Sequence, residues 1–157
     1  MSIAVLGVNH RTAPLEVRER FAHERREVPV SLARVLAAST PGAGGVLLST
    51  CNRTEFYLAE PAEGAAETVW DLLTERLGGS RSAREYGYTQ HDRDAVRHLY
   101  RVSAGLDAMI VGESQIQGQV REAWEVSKPQ AGPVLHRLFQ SALLVGARVR
   151  SETDLPT

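Results

Sequence analysis

Two short apolar runs, Gly45-Val46-Leu47-Leu48 and Phe56-Tyr57-Leu58-Ala59, flank a polar segment, 49–55, that holds the only cysteine of the chain. Short runs of this kind, the second aromatic, suit buried strands. The segment between them must therefore bend from one strand to the next and present its side chains at the end of a sheet, where reactive groups sit on a rigid scaffold. Asn52 tolerates the left-handed backbone that a tight bend requires. Arg53 lies two residues from Cys51, and a fixed positive charge favours the thiolate, the nucleophilic form. A lone cysteine is more often a buried structural residue. A core cysteine, however, rarely sits inside Ser49-Thr50-Cys51-Asn52-Arg53-Thr54-Glu55, so Cys51 is read as a candidate nucleophile.

The rest of the chain reads as a mount for that bend. Ile3 to Val8 is an opening buried strand, closed at Gly7-Val8-Asn9-His10. Thr12-Ala13-Pro14 is a helix-start signal for a helix from Pro14 to Ala22 with Leu15, Val17 and Phe21 on its apolar side. Pro29 to Ala38 carries Leu32, Val35 and Leu36 at helical spacing, and the glycine-rich stretch Pro41 to Gly45 stops it. A helix starting at Pro61 buries Val69, Trp70, Leu72, Leu73 and Leu77 and ends at Gly78-Gly79. Arg84 to Gln90 holds a fourth short strand. Beyond it the pattern is helical only. Asp92 is read as the N-cap of a helix with Val96, Leu99, Tyr100 and Ser103 on one face; Glu113 to Ser127 buries Ile116, Val120, Ala123 and Trp124; Pro133 to Glu152 buries Leu135, Leu138, Phe139, Ala142, Leu143 and Val149. The expectation is an α+β fold. Residues 1–90 form a βα-alternating subdomain with a small sheet and the nucleophile loop, and 91–157 form an all-helical subdomain.

Composition excludes several classes. A chain of 157 residues is long enough for a proper core. A formal charge of −1 gives no general pull toward nucleic acid or membrane. One cysteine makes no internal disulfide, which fits a reducing cytoplasm. No apolar run approaches the ~20 residues of a membrane span, and no secretory signal opens the chain. Seventeen of the 18 basic residues are Arg, which reads as genome bias.

Two further sets of residues bear on chemistry. Gln115, Gln119 and Glu122 recur at i, i+4 and i+7 on one helix face. In a chain whose surface helices are written in Arg and Glu, two neutral amides in register suggest a hydrogen-bonding wall. A cysteine nucleophile needs a basic partner, and of His10, His23, His91, His98 and His136 the best placed is His98, at the margin of an apolar helix face. His10 and Arg11, at the end of the first strand, could face the same rim as Cys51.

Three blocks, Gly7 to Pro14, Leu48 to Glu55, and Gly105-Leu106-Asp107 with Gly112 to Val120, together resemble the catalytic domain of glutamyl-tRNA reductase. The resemblance spans nearly the whole chain, in order. It implies the first step of tetrapyrrole biosynthesis, in which glutamyl-tRNA is reduced with NADPH to glutamate-1-semialdehyde. It implies that Cys51 attacks the ester carbonyl to give a thioester, that His98 assists, and that Thr50, Asn52, Arg53, Ala108, Glu113, Ser114, Gln115 and Gln119 line the glutamate pocket. A free carboxylate and a free ammonium are then to be bound. Arg53 is expected to fork onto the first, and Glu113 or Glu55 to take the second.

The chain departs from the pattern twice. The family connector usually reads Gly-Leu-Asp-Ser, whereas Ala108 stands fourth here. No Gly-x-Gly-x-x-Gly follows a strand, so the NADPH-binding and dimerisation domains of the family are expected to lie outside this chain, which alone should only acylate and hydrolyse. No metal is implied. The partners implied are glutamyl-tRNA, a second copy when the protein is full-length, and the downstream aminomutase, with no membrane. The rival readings are a tRNA-docking or regulatory module with an incidental cysteine, and a general cysteine thiol hydrolase.

Overall fold

The structure, a computed structural model, describes residues 2–79, 81–107 and 115–152, with Arg150 as backbone only. It is an α+β fold built on one four-stranded antiparallel sheet. The strands are β1 (Ile3–Asn9), β2 (Gly44–Ser49), β3 (Arg53–Ala59) and β4 (Tyr88–His91), in the spatial order β2-β3-β1-β4. The helices are α1 (Leu15–Phe21), α2 (Val28–Ala37), α3 (Glu63–Arg76), α4 (Asp92–Ser103) and α5 (Gln115–Glu152).

Both faces of the sheet are covered, which is why its strands read as continuous apolar runs. Ala4, Leu6, Val8, Leu47, Phe56 and Leu58 pack with Phe21, Leu32, Val35, Val69 and Leu73 from α1 to α3. Val5, Val46, Leu48 and Tyr57 pack on the other side with Leu99, Val120, Leu135 and Phe139 from α4 and α5. The chain changes layer near the boundary drawn at Gln90, and the helices after it cover the second face of the same sheet.

α5 runs along β2. There the Leu47 N–H donates to Ser127 Oγ at 3.2 Å, so the edge strand has a partner. The rod breaks at Gly132, where φ is 76° and ψ 169°, conformations that favour glycine. Pro133 follows, as expected for the start of a second helical stretch. The close approach there also explains Gly44, since a Cβ on it would lie 1.8 Å from the Ala131 carbonyl oxygen.

The elements differ from expectation in five places. The fourth strand is Tyr88–His91, later than the expected span from Arg84, because Ala83–Tyr86 forms a short 3-10 turn. β3 begins at Arg53, so the bend shrinks to Thr50, Cys51 and Asn52. The reason is that Arg53 and Glu55 satisfy each other inside the fold, which lets a charged stretch be a buried strand. The buried face of α4 is Ala95, His98, Leu99, Val102 and Ser103, with Val96 and Tyr100 only half-buried at its margin. Asp92 is the first helical residue, not the cap; its Oδ1 accepts from the Ile3 N–H at 3.0 Å and ties α4 to the start of β1. Leu15 is 52% exposed, and α1 packs through Phe21 and the buried Arg18 instead.

Candidate active site

The β2–β3 pair brings Cys51 to the rim of the sheet. Ser49 pairs with Thr54, and the Thr50 N–H donates to the Arg53 carbonyl at 2.8 Å, closing the turn. Thr50 Oγ1 accepts from the Asn52 N–H at 3.1 Å, a local hydroxyl turn that fixes the residues around the thiol. Cys51 is a free, exposed thiol. Among the described residues its own N–H has no hydrogen-bond partner.

Immediately beneath the turn lies a buried hub of charge. Arg53, Glu55 and Tyr57 alternate onto the face of β3 that α4 covers, and Arg53 and Glu55 are 2% and 0% exposed. Four groups converge on the Glu55 carboxylate. Arg53 Nη1 reaches Oε2 at 3.2 Å, His98 Nε2 reaches Oε2 at 2.5 Å, the Tyr57 hydroxyl donates to Oε1 at 2.9 Å and the Tyr88 hydroxyl donates to Oε2. Arg53 Nη1 also donates to Asp107 Oδ2 at 3.2 Å and its Nη2 to the Asp107 carbonyl. Arg11 closes the network from the surface at 2.5 Å from Asp107 Oδ1. It is held in place because the Asn9 side chain accepts from its N–H at 2.9 Å.

The electrostatics follow from this packing. Burial pushes the Glu55 carboxyl up, but Arg53 and then His98 outweigh it and hold the group at about 2. Burial, then Glu55, pushes the Tyr57 hydroxyl well above its ordinary value, and Tyr88 is raised for the same reasons. Burial opposes the Arg53 charge, yet Glu55, the two tyrosines and Asp107 leave its pKa raised. Because an ionised carboxylate only accepts, His98 is the donor in this contact, through Nε2, and its Nδ1 is left free of Glu55.

These facts revise two expectations. Glu55 has no capacity for a ligand ammonium, since its oxygens are filled from inside the protein. The Arg53 charge, read as an activator of the thiol, is balanced by Glu55 and Asp107. Both Nη1 hydrogens and one on Nη2 are spent, leaving Nε–H and one Nη2–H as donors for anything else.

Two hollows flank the rim. One, of about 190 Å³, is lined by Ser49, Leu47, His23, Gln119 and Glu122. The other, a cleft of about 600 Å³, is lined by His98, Asp107, Tyr88, Arg11, Arg97 and Arg101, among others. Gln119 and His98 thus line different hollows. Glu122 pairs with Arg25 at 2.6 Å, and Gln115 is exposed on the first turn of α5. Ala108, Glu113 and Ser114 lie outside the described residues. His10 sits beside this network, its charged form disfavoured by burial and then by Arg53.

Sequence reasoning did not find Asp107, Tyr57 and Tyr88 as parts of the site. The available signal was the alternation of Arg53, Glu55 and Tyr57, which puts two opposite charges and a hydroxyl on one strand face. Among the described residues no cluster of His, Cys, Asp and Glu is arranged to hold a metal, and no helix is long and apolar enough to cross a membrane.

The chain is similar to known proteins. Residues 6–153 match the family described as Glutamyl-tRNAGlu reductase, N-terminal domain. The chain is 49% identical over 160 residues to the glutamyl-tRNA reductase of Rubrobacter xylanophilus, covering 99% of this chain and 37% of that protein. It is 43% identical over 159 residues to that of Pelotomaculum thermopropionicum, covering 99% and 36%. The solved glutamyl-tRNA reductase from Methanopyrus kandleri superposes with a TM-score of 0.75 at 28% identity, covering 97% of this chain and 35% of that one. The chain thus spans about a third of the length of the curated relatives it matches, and it belongs to the glutamyl-tRNA reductase family as the N-terminal domain.

Proposed function

We propose that this chain forms the acyl-enzyme of a glutamyl-tRNA reductase, with Cys51 as nucleophile. The observation that carries the reading is the exposed thiol on a closed turn, set directly on a rigid charge hub that contains His98. The Cys51 sulfur adds to the ester carbonyl of glutamyl-tRNA. The intermediate expels the ribose oxygen of the terminal nucleotide, which takes up a proton, and a glutamyl thioester remains. The unpartnered Cys51 N–H is a donor for the developing oxyanion. His98, held by Glu55 through Nε2, assists proton transfer through Nδ1 on the cleft side.

Thr50, Asn52, Gln115, Gln119 and the two unspent donors of Arg53 are the groups proposed to bind the glutamyl moiety. Ala108, Glu113 and Ser114 belong to the same proposal through family resemblance alone.

The family name implies a reductant, and NADPH is the cofactor proposed for the full-length protein. The residues described here do not fit it. All strands pair antiparallel, and no strand, glycine-rich turn and helix among the described residues form a cradle for a pyrophosphate. No reduction is therefore assigned to these residues. Alone, they should transfer the glutamyl group to Cys51 and then to water. Dimerisation and handover to an aminomutase are proposals for the longer protein.

The test is to incubate the chain with glutamyl-tRNA and quench with acid. Mass spectrometry should find a glutamyl adduct on Cys51, and the products should be glutamate and tRNA with or without NADPH. Unchanged deacylation by Cys51→Ala, or semialdehyde formed by these 157 residues, would end the proposal.

A further inference from the structure

Most arginines of the described residues are paired with carboxylates, including Arg25 with Glu122, Arg34 with Glu75, Arg76 with Glu27 and Arg84 with Glu67. α4 is different. Arg93, Arg97 and Arg101 stand at i, i+4 and i+8 on its exposed side, and none makes an ion pair among the described residues. At ~1.5 Å of rise per residue they are about 6 Å apart along the axis, a separation comparable with that of successive phosphates along a strand. Arg97 and Arg101 line the 600 Å³ cleft together with Arg11. Of the carboxylates in that cleft, Asp107 is committed to Arg11 and Arg53, which leaves Asp94 alone against the ridge. The cleft runs down to His98 and Asp107, both bonded to the strand that leaves the Cys51 turn.

We infer that this arginine ridge binds the phosphodiester backbone of the RNA arm that carries the aminoacyl ester. The inference rests on the acylation reading above and adds to it the surface along which the RNA approaches. The overall charge of −1 hides this surface, because 19 acidic residues spread over the chain offset its 18 basic ones. An unpaired guanidinium keeps its full attraction for phosphate, and each phosphate contact releases counterions. The ridge supplies affinity and orientation, and reads no base.

The test is binding of uncharged tRNA as a function of salt. Uncharged tRNA has no ester for Cys51, so failure of the ridge and failure of the acylation reading are separate results. Replacing all three residues, Arg93→Gln with Arg97→Gln and Arg101→Gln, should lower the slope of log affinity against log salt by roughly 2 to 3, since each lost phosphate contact removes about 0.7 to 1. A control chain with Arg20→Gln, Arg121→Gln and Arg137→Gln makes the same charge change at exposed positions away from the ridge. It should keep most of the wild-type slope. Equal losses in the two variants would reduce the effect to general electrostatics and overturn the ridge. An unchanged slope in the ridge variant, or no binding of tRNA by the wild-type chain, would overturn it as well.

Discussion

The two faces of β3 are built on opposite principles. Toward α1 to α3 the strand presents Thr54, Phe56 and Leu58, and toward α4 it presents Arg53, Glu55 and Tyr57. Both sets are buried. The first is stable wherever shape and volume are right, because apolar burial has no direction. The second is stable only if every charge and hydroxyl finds its partner, since a buried ion left alone is far costlier than a small void. A sheet can therefore be forgiving on one face and exacting on the other, and the exacting face is the one beneath the Cys51 turn.

Breaking the exacting face should give the largest effect. Glu55→Ala removes the acceptor of Arg53, His98, Tyr57 and Tyr88 together. Loss of one partner of a buried ion pair costs about 3–5 kcal/mol, so equilibrium unfolding should show a loss of that order. On the forgiving face, Phe56→Leu keeps an apolar side chain and should cost only about 1–2 kcal/mol. If the two variants lose equally little, the hub is not held by its pairing.

The pH dependence separates the faces in a second way. His23 lies on the α1–α3 side, where Nδ1 donates to the Phe21 carbonyl at 2.8 Å and Nε2 accepts from the Ser31 hydroxyl at 2.8 Å. Burial, then Arg76, lowers its pKa from 6.5 to about 4. The unfolded chain binds this proton first, so the contribution of His23 is complete above pH 6.5 and is lost as pH falls toward 4. It amounts to ~3 kcal/mol at most. Glu55, lowered from 4.5 to about 2, loses its contribution later, as pH falls from 4.5 toward 2. Urea titrations should show the decline in that sequence. His23→Gln should flatten the upper window alone, and a slope that survives there would assign it to another group.

This contrast also explains what was legible in the sequence. The forgiving face announced itself through Val46, Leu47, Phe56 and Leu58, and with it the strand, bend and strand around Cys51. The exacting face did not. Arg53 and Glu55 read as loop because charge in a strand looks like exposure until a partner is known. Those partners come from far along the chain, His98 on α4, Tyr88 on β4 and Asp107 beyond α4. Single-strand periodicity carries no information about such pairings. The same limit explains why α4 was read only partly in phase: Leu99 and Ser103 are buried as expected, but a pattern of apolar residues favoured the half-buried Val96 and Tyr100 over Ala95, His98 and Val102.

The smallest effect on stability, and the most discriminating for function, should come at the turn itself. Cys51 is exposed, whereas two residues later Arg53 is almost wholly buried. Cys51→Ala removes a thiol from solvent and leaves intact the Thr50 to Arg53 backbone bond and the Thr50 hydroxyl bond that close the turn. Its unfolding free energy should match wild type within about 0.5 kcal/mol, as for surface positions generally. Acyl transfer, by contrast, needs the sulfur as the atom that forms the bond, so the glutamyl adduct should vanish. Arg53→Lys provides the opposite combination. It keeps the charge but loses the fork that serves Glu55 and Asp107 together, and it should lower stability and acylation in parallel. A Cys51→Ala chain that is strongly destabilised would mean that the thiol is a packing element, and the division between a rigid hub and a reactive tip would fail.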